Sequence, residues 1–226
     1  MCALGLTVLF SGCVSTAKYT PTIKDKMPVP SDQLASVTIP VAVQMVKLVD
    51  VSPAEDKEDG WLYGSGWSVT SPERLKGPLD VILKDAIMND FKEHGLFKEV
   101  SQENPGDLLK LEGKVYRFYQ RREHYLWSLC CGLLGILIPF PLMKEEGEVN
   151  IELTLTRFDG STLRSYRGQS SFLKRCNFYE SRCNESYDSS PAKYLDEALG
   201  DSMAQIRTQI IKDKDVIVQR ISQQTR

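Results

Sequence analysis

The chain has 226 residues, of which 42% are hydrophobic and 26% charged, with a formal net charge of -2. That length holds one domain, or one domain with a large insertion, and the composition excludes wholesale disorder. There is no basic excess to argue for nucleic acid, no polybasic run to argue for anionic lipid, and no tandem repeat. Two local compositions are abnormal: an apolar N-terminus and a charge-free stretch near the middle.

Residues Cys2 to Phe10 read C-A-L-G-L-T-V-L-F, the length of a signal-peptide core and too short to span a bilayer. Ser11 and Gly12 follow, then Cys13. A peptidase needs small side chains before its cut site, because the extended backbone must lie close to the enzyme. The stretch L-F-S-G-C at Leu9–Cys13 resembles the bacterial lipobox, with Phe10 where leucine is usual. The resemblance implies loss of residues 1–12 as a signal peptide, and a covalent diacylglycerol and N-acyl chain on Cys13. It implies no other cofactor. Three acyl chains are enough for stable anchoring. By the same resemblance Val14, where aspartate would mark inner-membrane retention, points to the outer membrane, facing the periplasm. The competing reading is a buried first element that happens to end in cysteine. Residues 14–36 are rich in Pro, Thr, Ser and Lys with no apolar period, so 13–36 reads as lipidated N-terminus and flexible tether. The periplasmic domain then runs from 37 to 226.

Val37, Ile39, Val41, Val43 and Met45 alternate, which predicts a first strand, with Pro40 at its start or on a free edge. A long connection from Asp50 to Gly77 follows. Its first half is acidic and reads as a solvated loop; its second half carries Trp61, Tyr63 and Trp67, a possible binding loop. Leu79, Leu83, Ile87 and Phe91 recur at helical spacing, opened by Pro78 and stopped at Gly95, with Leu96, Phe97 and Val100 leading out towards the sheet. A second strand is expected over Leu108–Tyr119. Val149, Ile151, Leu153 and Leu155 alternate, Asp159-Gly160 makes a tight turn, and Leu163–Phe172 returns as the partner strand. Ser190 and Pro191 are expected to start a long helix whose stripe is Leu195, Leu199, Met203, Ile206 and Ile210, with a tail continuing through Ile217 and Ile221.

The order predicts an α+β fold: a four-stranded, mostly antiparallel sheet with two helices on one face (β-α-β-β-β-α). This order resembles that of the lipopolysaccharide-assembly lipoprotein and of the auxiliary lipoproteins of ABC-type lipid transporters. The local match is G-L-F-K-E-V at Gly95–Val100, where a helix stops and a strand begins.

Between the second and third strands lies the apolar insertion 126–143, L-W-S-L-C-C-G-L-L-G-I-L-I-P-F-P-L-M, with Arg121, Arg122 and Glu123 before it and Lys144, Glu145 and Glu146 after it. Pro139 and Pro141, with Gly132 and Gly135, oppose a spanning helix. Three readings compete: a core segment, a hairpin in lipid or a partner's groove, and a true span. Leaving Leu126, Leu129, Leu133, Leu134, Ile136, Leu137 and Phe140 in water would forfeit on the order of 10 kcal/mol, so something must cover them. Tyr125 and Trp127 suit a headgroup boundary. The segment is therefore expected to project from the sheet and contact lipid or a partner protein.

Cys176 and Cys183 flank a short polar loop, which in an oxidising compartment reads as a disulfide; the adjacent Cys130 and Cys131 read as buried free thiols. His94 and His124 are the only histidines, and no nucleophile, metal or phosphate motif occurs, so neither catalytic residues nor a metal site is expected. Two functions remain open. One is a non-enzymatic accessory or scaffold component with an envelope protein partner. The other is a lipid-binding or lipid-transfer module using the insertion and the aromatic loop, which would need an internal cavity.

Overall fold

The computed structural model describes residues 18–24, 38–58, 67–101, 109–124, 143–176 and 192–223. The strands among them are β1 (Ile39–Asp50), β2 (Trp67–Ser68), β3 (Phe97–Ser101), β4 (Leu109–His124), β5 (Met143–Thr156) and β6 (Thr162–Cys176). The helices are α1 (Leu79–Glu93), α2 (Lys193–Lys212) and α3 (Lys214–Ser222), with a single 3-10 turn at Ala54–Asp56. The α+β class is as expected, and both helical stripes are core: Leu83, Ile87, Phe91, Leu195, Leu199, Met203, Ile206 and Ile210 are all fully buried.

The sheet itself differs from expectation. Its order is β3-β1-β4-β5-β6, with β2 paired beside β4, and it is mixed. β1 runs parallel to both β3 and β4, whereas β4, β5 and β6 form an antiparallel meander. Phe97 and Val100 do not merely lead out of α1; they belong to β3, returned beside β1 by a strand–helix–strand crossover. Five residues carry too little alternation to announce a strand, and side-chain period says nothing about the direction of a neighbour. The tail is a separate helix, because α2 stops at Asp213 and α3 begins again at Lys214. Pro40 is exposed as the second residue of β1, at an irregularity in the pairing with β3 and before pairing with β4 begins, so its missing N–H costs no ladder bond to β4.

The β5–β6 turn is the expected one. Gly160 adopts φ 84°, open to glycine, and Asp159 accepts a 2.8 Å bond from the Ser161 amide. At Gly168 the reason is space. An added Cβ would overlap the Ser202 carbonyl, so glycine lets α2 lie against β6. The helix is also bonded to that strand along its length: Gln205 and Gln209 each reach the β6 backbone, at Gln169 and Arg167.

All the helical stripes pack on one face. The other face of β4–β5–β6 is a lattice of polar cross-strand neighbours. Tyr116 donates to Glu152 at 3.0 Å, Gln169 to Glu148 at 2.9 Å, and Thr154 lies 2.9 Å from Ser165. Lys114 stands beside Glu152, which stands beside Arg167, whose guanidinium lies 5.1 Å from the Tyr116 ring. Such pairs stabilise a solvated sheet face.

Candidate functional site

β4 passes the end of β1 at Val115 and continues to His124, which pairs with Met143, which pairs with Cys176. This rung is the tip of the meander. The two ends of the apolar stretch therefore leave and rejoin the sheet side by side. Tyr125, Leu126, Trp127, Leu129, Leu133, Leu134, Ile136, Leu137 and Phe140 lie outside the described residues, as do Cys13, Cys183, Trp61 and Tyr63. Cys176 ends β6 on the tip rung. Trp67 is not in an open loop. It forms β2 with Ser68, opposite Arg122 and Arg121, so the connection Asp50–Gly77 is pinned to β4 partway along.

The core face near this tip is polar, which composition did not suggest. Gln120, Arg122 and Glu145 are each no more than 3% exposed. Glu145 accepts from the Gln120 amide at 2.5 Å and from Arg122 at 3.1 Å. The Gln120 side-chain oxygen accepts from the Leu195 amide at 3.2 Å. The expected cap of α2, Ser190, lies outside the described residues; the helix begins after Ala192, which provides no side-chain cap. An amide from β4 thus serves one of the orphan donors of the first turn of α2. The sequence does contain the signal. Gln120 and Arg122 share the inward parity of Phe118, and Glu145 that of Val149.

The second feature of this end is the N-terminal segment. Residues 18–24 fall within the stretch read as tether, yet they are seated on the domain. Tyr19 exchanges backbone bonds with Arg74 and Lys76, and its hydroxyl donates to Asp196 in the first turn of α2 at 2.7 Å. The Thr22 amide donates to the same carboxylate oxygen at 3.1 Å. Further along, the Lys24 carbonyl crosses Gly200 so closely that a Cβ there would clash. Burial, the largest influence, pushes the Asp196 carboxyl above its ordinary range, against the two hydrogen bonds that favour its ionised form. Burial also drives the Tyr19 phenol well up, reinforced by the carboxylate beside it.

Two more buried acids escaped the sequence reading. Asp56, in the acidic run read as solvated, is 2% exposed. Its carboxylate meets Arg117 at 3.0 Å and its carbonyl accepts from Ser68 and Thr70. Burial raises its pKa more than Arg117 lowers it. Asp90 of α1 pairs with Arg207 of α2, both 1% exposed as side chains, and burial raises Asp90 against the pull of that guanidinium. His94 caps α1 with Nδ1 2.7 Å from the Asp90 carbonyl. These groups tie helices and loops together. Among the described residues no cluster of His, Cys, Asp and Glu could hold a metal ion, and no helix is long and apolar enough to cross a membrane. A shallow, partly open cleft between β6 and α3, lined by Leu163, Tyr166, Val216 and Ile217, has room for about 10 Å³, roughly one water molecule. That is below the roughly 300 Å³ at which small-molecule sites begin.

Fold and site together define a one-sheet α+β domain with helices on one face and a protruding three-stranded tip. No family model and no curated protein matches the chain. Among solved structures, it is similar to a Xanthomonas campestris protein of the DUF330 family, 15% identical, with a TM-score of 0.42 over 92% of this chain and 99% of that one. It is also similar to a minor lipoprotein from Acinetobacter baumannii, 13% identical, with a TM-score of 0.37 over 61% of this chain and 87% of that one.

Proposed function

We propose that this chain is a membrane-anchored, non-enzymatic lipoprotein of the bacterial envelope, acting as an accessory or scaffold component of an envelope assembly or transport system. The anchor is Cys13, read from L-F-S-G-C. The observation that carries the scaffold reading is the address of the apolar stretch. It starts and ends at the tip rung His124–Met143, while one face of the sheet is filled by α1 and α2 and the other is the polar lattice of Lys114, Glu148, Glu152 and Arg167. An apolar cover laid on that lattice would strip water from its charges, a cost that burying leucines does not offset. Among the described residues, β4, β5 and β6 thus offer the stretch no apolar outer face, which favours cover by a partner or by lipid. A Cys176–Cys183 disulfide would close a loop at this same end. The lipid-carrier reading needs an internal cavity, and the described core favours the scaffold instead, since its side chains from both layers are closed to solvent.

Photo-crosslinking in growing cells tests this. A photoreactive residue at position 133 or 137 should yield a discrete adduct with an envelope protein. Adducts with lipid alone would replace the scaffold reading by the lipid-binding one, and adducts with neither would contradict both.

A further inference from the structure

We propose that the domain is not held away from the membrane on a free tether but is strapped in one orientation, tip rung towards the bilayer, with Leu173, Lys174 and Arg175 of β6 against anionic phospholipid headgroups. The inference rests on Cys13 being the lipidated residue.

The strap sets the distance. Tyr19 is 7% exposed and is fixed on two sides, by the backbone of Arg74 and Lys76 and by the Asp196 carboxylate. Cys13 stands six residues before it. Fully extended, that leash is at most about 20 Å long. The acylated cysteine therefore cannot leave the neighbourhood of the first turn of α2.

That turn is at the tip end of the sheet. Leu195 bonds Gln120, and Tyr194 packs on Phe172 with ring centroids 5.7 Å apart. From the Gln120–Gly147–Phe172 rung, β4 runs four more residues to His124, roughly 13 Å at strand rise. The opposite turn, at Asp159–Gly160, lies at the far end of β6 beside α3, where Arg157 bonds the Arg220 carbonyl. Anchor and tip thus share one end, and the β5–β6 turn has the other.

Charge complementarity names the occupant. At the tip Arg122 is neutralised inside by Glu145, Lys144 pairs with Glu146, and Arg121 stands 3.9 Å from Glu123. Lys174 and Arg175 are exposed and add two cations; Lys174 stands across from Glu145, which already pairs with Arg122, and Arg175 stands across from Lys144. Lys174 lies over the Tyr194 ring at 5.5 Å, and Leu173 next to it is 52% exposed. An exposed leucine followed by two cations on an edge strand suits a headgroup boundary. Lys18, Lys24 and Lys193, near the same helix end, add to it. No polybasic run announces this surface because its cations come from separate segments and meet only in the fold.

The test uses the full lipidated chain in vesicles of phosphatidylethanolamine and phosphatidylglycerol, with a fluorescent amino acid at position 173 or 159 and a headgroup-attached quencher. Quenching at 173 and little at 159 is expected, and Tyr19→Phe with Asp196→Asn should bring the two closer together. Lys174→Gln with Arg175→Gln should weaken the preference for phosphatidylglycerol, by roughly five-fold per charge. Equal quenching at 173 and 159, or stronger quenching at 159, overturns the orientation. Mass analysis of Cys13 on the same sample separates the two ideas: acylated Cys13 with equal quenching sinks only the strap, whereas unmodified Cys13 sinks the lipoprotein reading with it.

Discussion

The Tyr19 hydroxyl donates a 2.7 Å hydrogen bond to Asp196, joining the N-terminal segment 18–24 to the first turn of α2 across 177 residues of chain. A hydrogen bond to a buried carboxylate contributes about 1.5 to 3 kcal/mol. Tyr19→Phe should lower stability by that amount in urea denaturation and expose the amides of residues 18–24 to hydrogen exchange, with the middle of α2 still protected. Unchanged exchange in that segment would show that the clasp does not hold it.

Asp196 also gives stability a pH dependence of defined sign. Burial raises its pKa in the folded state, so folding binds the proton more tightly than the unfolded chain does. Its contribution is complete below the unfolded value of about 3.9 and is lost as pH rises through the folded one. Asp196→Asn cannot ionise. The stability it loses relative to the native chain should therefore be larger near pH 3 than at pH 7. A loss that grows with pH would reverse the assignment.

Asp90 and Arg207 join α1 to α2 inside the core. Removing one partner of such a pair strands a buried charge and costs about 3 to 5 kcal/mol, whereas replacing both with apolar residues often costs little. Asp90→Leu alone should be severely destabilising, and Asp90→Leu with Arg207→Met should recover most of the loss. Additive losses in thermal denaturation would show that the pair is not coupled.

Gly168→Ala places a methyl group against the Ser202 carbonyl and the Ile206 side chain. Overpacking of this kind costs about 1 to 3 kcal/mol. The strain should appear as a lowered melting temperature and as weakened protection at Gln169, whose amide bonds Gln205. A neutral substitution would mean that α2 does not press on β6 at Gly168.

What the sequence made legible follows from side-chain period. Leu83, Ile87 and Phe91, and Leu195 through Ile210, declared their buried faces because a helical stripe is a local pattern. The β5–β6 hairpin was legible from alternation around Asp159-Gly160. β3 was not, since five residues hold little period, nor was the parallel pairing of β1, which depends on crossover geometry. The Gln120–Arg122–Glu145 group was half legible: parity turns those side chains inward, but only the register of β4 on β5 brings them together. The seating of Tyr19 was invisible, because its partners Arg74, Lys76 and Asp196 are distant in sequence and its neighbours have the composition of a tether.

The most direct test of the account is acyl labelling of the chain expressed in a bacterium with an intact lipoprotein pathway. The native chain should lose residues 1–12, carry diacylglycerol and an N-acyl chain on Cys13, and fractionate with membranes; Cys13→Ser should remain unprocessed and unlabelled. Equal label on the Cys13→Ser chain, or a native chain carrying none, would contradict it.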